Sequence, residues 1–507
     1  MSETTPKGGS PLSRRDFLRL ASASLAAGAC SGVVSSGEGG EPDGTGALDG
    51  SPGGPGDGGS RIDGGEVVRP PVTRDLGAIP ESQSFPLGVM SGDATSDRAM
   101  LWTRYDGAAQ LAAHVQEEGG DAVFEGSAEV KPGGFVHIDA PGLRPGARYR
   151  YAFLEKSGGG GDVIARSRTG RFRAALAPDA LETVTFAATS CTSQLVEAAN
   201  QNLGRVAERS DLSFFLHAGD QLYADHDGAA MDLAGYRAKY AIAWARSGLH
   251  ALHGAFGMYN TWDDHEVFDN WQGYRDDPRI NAGVDTFFDH QPIRRFADMP
   301  RRTWRSFRWG RTLELFVIDS RGERDLQAGR YLSEAQLDWL ASGLASSPAV
   351  FKFVLNSCPI GIFPDSINRW RSPQDRWANS LWSQQRARIL DVSQEAGGVW
   401  WLSGDFHFGA IGRVSYPDTG AHSRVREVLL GAGGQGIGSS DDVPGTTRIA
   451  NITALDDNLH WTFATPKNNY VVIRANPVAA GDHPTPWLDI AYYDSTTQLF
   501  AGSYGLL

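Results

Sequence analysis

The sequence predicts an α/β layered core preceded by a small all-β sandwich, and three observations carry that reading. From about Glu182 onward, apolar strand-like runs alternate with helical stretches, the element order that α/β layering produces. Between Phe85 and Arg173 the runs are short, alternate apolar with polar, and are separated by Gly, Pro and Asp turns. Two later apolar runs, "HAGDQLY" (His217 to Tyr223) and "LSGDFHFG" (Leu402 to Gly409), break at Gly-Asp, as strands do at the carboxyl edge where α/β folds build their chemistry.

A chain of 507 residues suggests two or three folded units, at about 100–200 residues per domain. Its 41% hydrophobic and 21% charged residues are ordinary for a globular protein, and the excess of glycine, 62 in all, partly reflects a low-complexity N-terminus. A formal net charge of −13 argues against a broad nucleic-acid-binding face. An anionic substrate must then be drawn by local positive charge, such as metal ions. Three cysteines, Cys30, Cys191 and Cys358, form no regular framework and suggest no disulfide scaffold, although a Cys191–Cys358 bridge stays open and Cys191 alone reads as a small buried hydrophobe.

Residues 1–30 read as an export signal: "SRRDFLRL" (Ser13 to Leu20) presents a twin-arginine pair, and "ASASLAAGAC" (Ala21 to Cys30) is a weakly apolar small-residue run. That run is too short for a membrane span, which needs about 20 residues. "AAGAC" resembles a lipoprotein cleavage box with Cys30 as the acylated residue, though leucine is more usual where Ala27 stands. Residues 31–72 form a Gly/Ser/Pro-rich linker, too poor in large apolar side chains to fold, which would hold a catalytic body clear of a membrane.

The sandwich is expected over 73–177. In "GLRPGARYRYAF", Tyr149 and Tyr151 alternate with Arg148 and Arg150, the pattern of a strand with one buried face. No catalytic constellation appears in this part, and the glycine run from Ser157 to Asp162 is a loop because no helix pattern follows it. The core is expected over 178–507. Its strands are Thr183 to Cys191, Leu212 to Asp220, Gly257 to His265, Leu313 to Ser320, Val350 to Ser357 and Gly398 to His407, with "YVVIRANP" and "WLDIAYYD" closing the chain. Between them, Leu332 to Leu344 reads as a helix capped by Ser333 and made amphipathic by Leu337, Leu340 and Leu344.

If these strands are neighbours, one sheet edge collects Cys191, Asp220, Tyr223, Asp264, Asn270, Asp405 and His407. Thiolate, phenolate, carboxylates, an amide and an imidazole suit hard metal ions together with one able to bind thiolate and phenolate, a description that ferric iron fits best. The reading is a binuclear site for phosphate ester hydrolysis, with Asp220 bridging and Tyr223, three residues on, reaching one ion. His265, beside Asp264, is placed to act on the leaving group.

The ordered set "FPLGVMSGDATSDRAMLWTRY", "SCTSQ", "HAGDQLY", "WDDHEVFDNW" (Trp262 to Trp271), "LELFVIDSRGER" and "LSGDFHFG" resembles the PhoD family of secreted alkaline phosphatases and phosphodiesterases, within the calcineurin-like metallophosphoesterases. The resemblance covers almost everything after Phe85. It implies a β-sandwich followed by an αββα four-layer core, twin-arginine export to the periplasm or cell surface, and a site of ferric iron with calcium. Carried across residue by residue, it makes Cys191 and Tyr223 iron ligands, Asp220 the bridge, Asp264 and Asn270 the calcium side, Asp405 and His407 the closing motif, and His265 the histidine next to substrate. Arg321 and Arg324 match a basic pair that could steady phosphate, or pair with Asp319 or Glu323 instead. One departure stands out: where the family commonly shows Trp-Asp-Gly-Tyr, this chain reads "DRWANSLW" (Asp375 to Trp382), with Ala378 or Asn379 at the acidic position and Asp375 as the nearest substitute. Cys358 matches no family role and is expected to be a packed strand residue. Two rival readings remain: a diesterase acting on phospholipid, teichoic or nucleotide diesters, and an exported binding protein that keeps the fold without turnover.

Overall fold

Apolar side chains on both faces of each core strand set the architecture. In the strand Val184–Thr192, Phe186 and Ala188 enter one apolar cluster while Ala187 enters another, and in Phe214–His217 the pair Phe214 and Leu216 is split from Phe215 in the same way. A period of two with both faces buried is why these segments read as nearly unbroken apolar runs. The computed structural model describes residues 71–158, 161–273, 277–368, 376–414, 421–437, 444–457 and 461–506. The expected export signal with Cys30, the expected linker up to residue 70, and Asp375 lie outside the described residues.

Two sheets meet face to face. The first has ten strands, and its parallel heart runs Val184–Thr192, Phe214–His217, Gly257–Asn260 and Val89–Gly92, with the closing strands Tyr470–Asn476, Trp487–Asp494 and Thr497–Gly505 on one flank. The second has seven, with Leu313–Val317, Phe351–Asn356, Val399–Ser403 and Arg426–Leu430 in parallel. Phe186, Leu216 and Tyr259 from the first sheet and Leu315, Phe353 and Leu402 from the second share the cluster between them. Outside the first sheet pack the helices Glu197–Ala207, Leu233–Trp244 and Ser247–Ala255, through Leu203, Tyr240 and Leu252. Outside the second pack Glu334–Ser346 and Ser383–Ala396, through Leu337, Leu340 and Ile389. The layers are helix, sheet, sheet, helix, the αββα order.

The expected strands and helix are present with shorter or shifted ends. The helix begins after Ser333, whose hydroxyl accepts the Gln336 amide at 3.2 Å. Strands stop at His217, Asn260, Val317 and Ser403 rather than at Asp220, His265, Ser320 and His407. Beyond two of these ends the backbone turns left-handed, at Asp220 (φ 56°) and at Asp405 (φ 65°) and His407 (φ 57°), which breaks the ladder and leaves the polar residues in loops.

The N-terminal region is β-rich and is joined to the core through a shared sheet. Gln110–Glu117, Ala122–Ala128, Arg148–Lys156, Val163–Arg166 and Gly170–Arg173 form a separate five-stranded sheet. The strands Val89–Gly92, Arg98–Arg104 and Phe135–Pro141 instead extend the ten-stranded sheet, because Ser91 and Gly92 pair in parallel with Gly257 and Met258. Leu101, Val136, Val115, Tyr149 and Tyr151 fill the space between these sheets, while Arg148 and Arg150 face solvent.

A buried ion pair pins this junction. Asp93 is fully buried and takes Arg305 Nε at 2.9 Å and Nη2 at 2.8 Å, while the Arg294 amide donates to its other oxygen at 2.8 Å. Removing one partner leaves the other charge buried and unmatched. Asp93→Ala is therefore expected to lower unfolding free energy by about 3–5 kcal/mol, read from urea titration. A loss below about 1 kcal/mol, the scale of an exposed pair, would show that the clamp is dispensable.

Candidate metal centre

The carboxyl ends of Val184–Thr192, Phe214–His217, Gly257–Asn260 and Val399–Ser403 converge on one edge, and the loops that follow carry the chemistry. The loops approach each other so closely that side chains are excluded at one point. Gly219 has φ 101°, and a Cβ there would lie 2.5 Å from the Asp263 backbone nitrogen. Only glycine satisfies both conditions. The Cys191 amide donates to the Gly219 carbonyl at 3.1 Å and the Thr192 amide to that of Asp220 at 2.8 Å, which locks the first two loops together. Gln194, in "SCTSQ", then clamps the Tyr223 backbone on both sides: its amide donates to the Tyr223 carbonyl at 3.0 Å and accepts the Tyr223 amide at 2.9 Å.

Among the described residues four groups of ligand atoms result; two of them share Asp220, and a further one is Asp225, His226 and His265. Cys191, Asp220 and His407 bring a thiol, a carboxylate and an imidazole within 4.8 Å of one another. The Tyr223 hydroxyl joins them, 3.2 Å from Asp220 Oδ2 and 3.2 Å from His407 Nε2. Asp220, Asp264 and His265 form the second group, so Asp220 belongs to both. Asn270 reaches the second group through its amide, which donates to Asp264 Oδ2 at 2.6 Å, while its side-chain Oδ1 is buried with no hydrogen-bond partner.

Asp405 stands apart from His407. It groups with Asp263 and Cys358, in a buried layer that the sequence reading did not resolve. Cys358 is packed as expected, fully buried in the apolar cluster beneath the second sheet, but it is not in a strand. It lies past the end of Phe351–Asn356, with its Sγ 3.5 Å from Asp263 Oδ1 and 3.4 Å from Arg324 Nη2. Both Cys191 and Cys358 are free thiols. Arg321 and Arg324 are each 1% exposed, so their charge lies beneath the carboxylates rather than at an open surface. Arg321 Nε donates to Asp263 at 2.5 Å and its Nη2 lies 3.6 Å from Asp264. Asp319 receives the Arg321 backbone amide and the Trp262 indole, and Glu323 accepts from Trp304 and Ser333.

His265 is the most elaborately held side chain. Its backbone amide donates to Asp220 Oδ1 at 3.2 Å, its Nδ1 lies 2.8 Å from Asp225 Oδ1, and its ring lies 4.2 Å from that of Tyr223, centre to centre. Asp225 and Glu266 are the residues that sequence reasoning missed. Glu266 sits inside a quoted motif, directly after His265, and Asp225 lies two residues past the end of another, beyond Tyr223. The buried Glu266 carboxylate accepts the amides of Gln221 (2.7 Å) and Asp263 (3.0 Å), tying two loops across the edge. At the departure from the family pattern, Asn379 Oδ1 accepts the Leu381 amide at 3.0 Å to cap a short turn, and Trp377 stacks on Tyr331.

The electrostatics show a shortage of positive charge. Burial pushes Asp220 well above the usual carboxylate range, and Asp263, Asp264 and Glu266 add to it against the opposing pull of His265. Burial likewise raises Glu266 to about 7, and burial followed by Asp220 raises the Cys191 thiol. For Asp264 burial acts the same way, but Arg321 and His265 outweigh it and hold that carboxyl low. His265 is raised well above its ordinary value because Asp264, Asp220 and Asp225 outweigh its burial. A donor set of this composition, with a buried amide oxygen lacking a partner and a shared carboxylate short of counter-charge, fits metal cations.

Residues 186–480 match the PhoD-like phosphatase family, and residues 72–176 match the PhoD-like phosphatase N-terminal domain. Alkaline phosphatase D of Bacillus subtilis (strain 168) is 27% identical over 399 residues, and the match spans 66% of this chain and 66%, just under two thirds, of that relative. The solved structure of PhoD aligns with a TM-score of 0.67 at 22% identity, covering 84% of this chain and 89% of that one. Purple acid phosphatase PPD1 from yellow lupin (Lupinus luteus) seeds shares the fold at a TM-score of 0.58 and 13% identity, over 82% of this chain and 73% of that one.

A Cβ at residue 219 must push the Asp263 backbone away from Asp220. Gly219→Ala is expected to keep near-native far-UV circular dichroism while losing most bound metal, measured by elemental analysis of protein purified without chelator. Full metal content would show that the close approach is not required.

Proposed function

The chain belongs to the PhoD-like phosphatase family, and we propose that it is an exported, metal-dependent phosphoesterase that hydrolyses phosphate monoesters, diesters or both. The observation that carries the reading is the sharing of Asp220 between two ligand groups of different chemistry. Cys191, Tyr223 and His407, with Asp220, suit ferric iron; Asp264 and the Asn270 amide oxygen, with Asp220, suit calcium. Asp405 closes the site from beneath, beside Asp263. Ions bound there would supply Lewis acidity toward a phosphoryl oxygen and lower the pKa of an attacking water.

The protein's own part is positioning and proton transfer. Asp225 holds His265 Nδ1, which fixes the ring and stabilises its protonated form, leaving Nε2 to donate a proton to the departing ester oxygen. Arg321 holds Asp263 and Asp264, so its contribution is to keep Asp264 ionised and aimed, as a positioning residue. Arg324, against Cys358 and over the Tyr331 ring at 4.4 Å, buttresses the same layer. Export by the twin-arginine route, with Cys30 as a lipid tether, belongs to the same proposal and is supported by residues 13–30.

Three variants test the assignments. Cys191→Ser should lose iron and change the visible absorption that thiolate or phenolate ligation gives to ferric protein; an unchanged iron content removes Cys191 from the ligands. His265→Ala should keep both metals while hydrolysis of p-nitrophenyl phosphate and its bis-ester falls by about 10²–10⁴, and near-normal turnover would sink the acid role. Asp225→Asn should keep the metals and lower kcat by a smaller factor with little change in KM. Full metal content without hydrolysis of either ester would instead favour a binding protein on this fold, the reading that Ala378 and Asn379 support.

A further inference from the structure

A second concentration of charge lies at the opposite edge of the same strands. A trough of 1050 Å³ is lined by Arg74, Arg150, Arg168, Arg171 and Arg205, against two carboxylates, Asp75 and Glu208. An adjoining basin of 220 Å³ shares Arg171 and Ala255 with it and adds Arg148, Arg173 and Arg209 beside Glu118, with Arg173 3.6 Å from Glu182 and Arg209 2.7 Å from Asp211. The basin is bordered by Ser213 and Phe256, which immediately precede the strands Phe214–His217 and Gly257–Asn260. It therefore opens at the amino edge of strands whose carboxyl edge carries the metal-ligand groups.

We propose that this arginine trough binds a linear, base-free phosphate polymer. Its guanidiniums are only partly committed. Arg171 has no carboxylate within 4.0 Å among the described residues, and Arg168 Nη1 donates to the His250 carbonyl at 2.9 Å without an ion pair. Arg150 stands 3.7 Å from Glu118 and is 56% exposed. Arg74 and Arg205, by contrast, are paired with Glu125 and Glu208 at 2.9 and 2.8 Å. Guanidinium forks match phosphate oxygens in geometry and charge. Because the whole chain is acidic, at −13, a polyanion is held only where cations are concentrated.

The form of the trough selects the polymer. Two basins joined at Arg171 offer cations in series, which engages successive phosphates of one chain better than an isolated phosphate. The larger basin has no aromatic lining residue, and the smaller has only Phe172 and Phe256, which are 3% and 5% exposed. Single-stranded nucleic acids depend on bases stacking on accessible aromatic faces, and the trough supplies none.

The test is direct binding to the full-length chain, with inorganic polyphosphate, poly(glycerol phosphate) and oligodeoxythymidylate of equal phosphate number, at about 50 to 200 mM salt. The base-free polymers should bind with an affinity that falls linearly in log salt. The triple variant Arg150→Gln, Arg171→Gln, Arg205→Gln should lose at least about tenfold in affinity and flatten the salt slope by about 0.7 for each phosphate contact removed, with turnover of p-nitrophenyl phosphate unchanged. Arg171→Glu, at one exposed position, should show the same direction if the triple variant misfolds. Whichever base-free polymer binds more tightly identifies the source. Absence of binding by the parent chain, affinity unchanged in both variants, or tighter binding of the oligonucleotide would overturn the proposal. Binding is read without catalysis, so loss of the hydrolytic reading would leave this result standing.

Discussion

Burying carboxylates is the constraint that the rest of the site answers to. Asp220, Asp263, Asp264 and Glu266 are each at most 4% exposed and come from two loops that touch. A buried charge is tolerated only where it is paired or hydrogen-bonded, and each of the four meets that condition differently. Asp263 and Asp264 share Arg321, Glu266 takes two backbone amides, and Asp220 is left with the His265 amide and the Tyr223 hydroxyl. Asp220 thus has no side chain of full positive charge as close as Arg321 is to Asp263. It is also the residue that joins the group of Cys191 and His407 to that of Asp264 and His265. The place where the protein's own compensation is thinnest is the place where its donors converge.

Holding donors there requires unusual backbone. Of the seven candidate ligands, Cys191, Asp220, Asn270, Asp405 and His407 have positive φ, a conformation that costs an L-residue about 1–3 kcal/mol where it persists. Such residues persist when the surroundings over-determine them. Here the surroundings are two sheets with a shared apolar core, the paired loop amides at Cys191 and Thr192, the double clamp of Gln194 on Tyr223, and the Ser190 hydroxyl on the Gly431 carbonyl at 2.7 Å. At Asp220, and at Asp405 and His407, the same turns follow directly on strand ends. There strain, strand termination and donor convergence coincide.

This explains what was legible in the sequence. The core strands were readable because burial on both faces writes a continuous apolar run, and their ends because Gly-Asp interrupts it. Cys191, Asp220, Tyr223 and His407 were readable together, since each is fixed by its distance from a strand end. The partners of those residues were not. Asp225 meets His265, and Cys358 meets Asp263, only through folding: the separations are 40 and 95 residues. No local pattern encodes such pairs. For the same reason the sequence displays the N-terminal strands as short alternating runs but says nothing of Ser91 pairing with Gly257, the contact that merges one layer of the sandwich into the core sheet. Arg321 and Arg324 show a third case: residue type left phosphate contact and ion pairing both open, and the sequence did not show that the two side chains are 1% exposed.

The two ends of the parallel strands carry opposite charge, and part of that polarity follows from the fold. Helices that follow parallel strands run back toward the amino edge, so their carboxyl ends gather there and favour basic residues nearby. Arg205, in the last turn of Glu197–Ala207, and Arg209, just beyond it, meet that expectation. Arg150 and Arg171 do not, because they project from strands of the separate five-stranded sheet, where no helix end calls for them. Their positive charge faces the same trough from the opposite wall, Arg150 3.7 Å from Glu118 and Arg171 with no carboxylate within 4.0 Å among the described residues. Helix-end chemistry accounts for one wall; the other wall needs a reason outside the fold, and an anion bridging both walls supplies it.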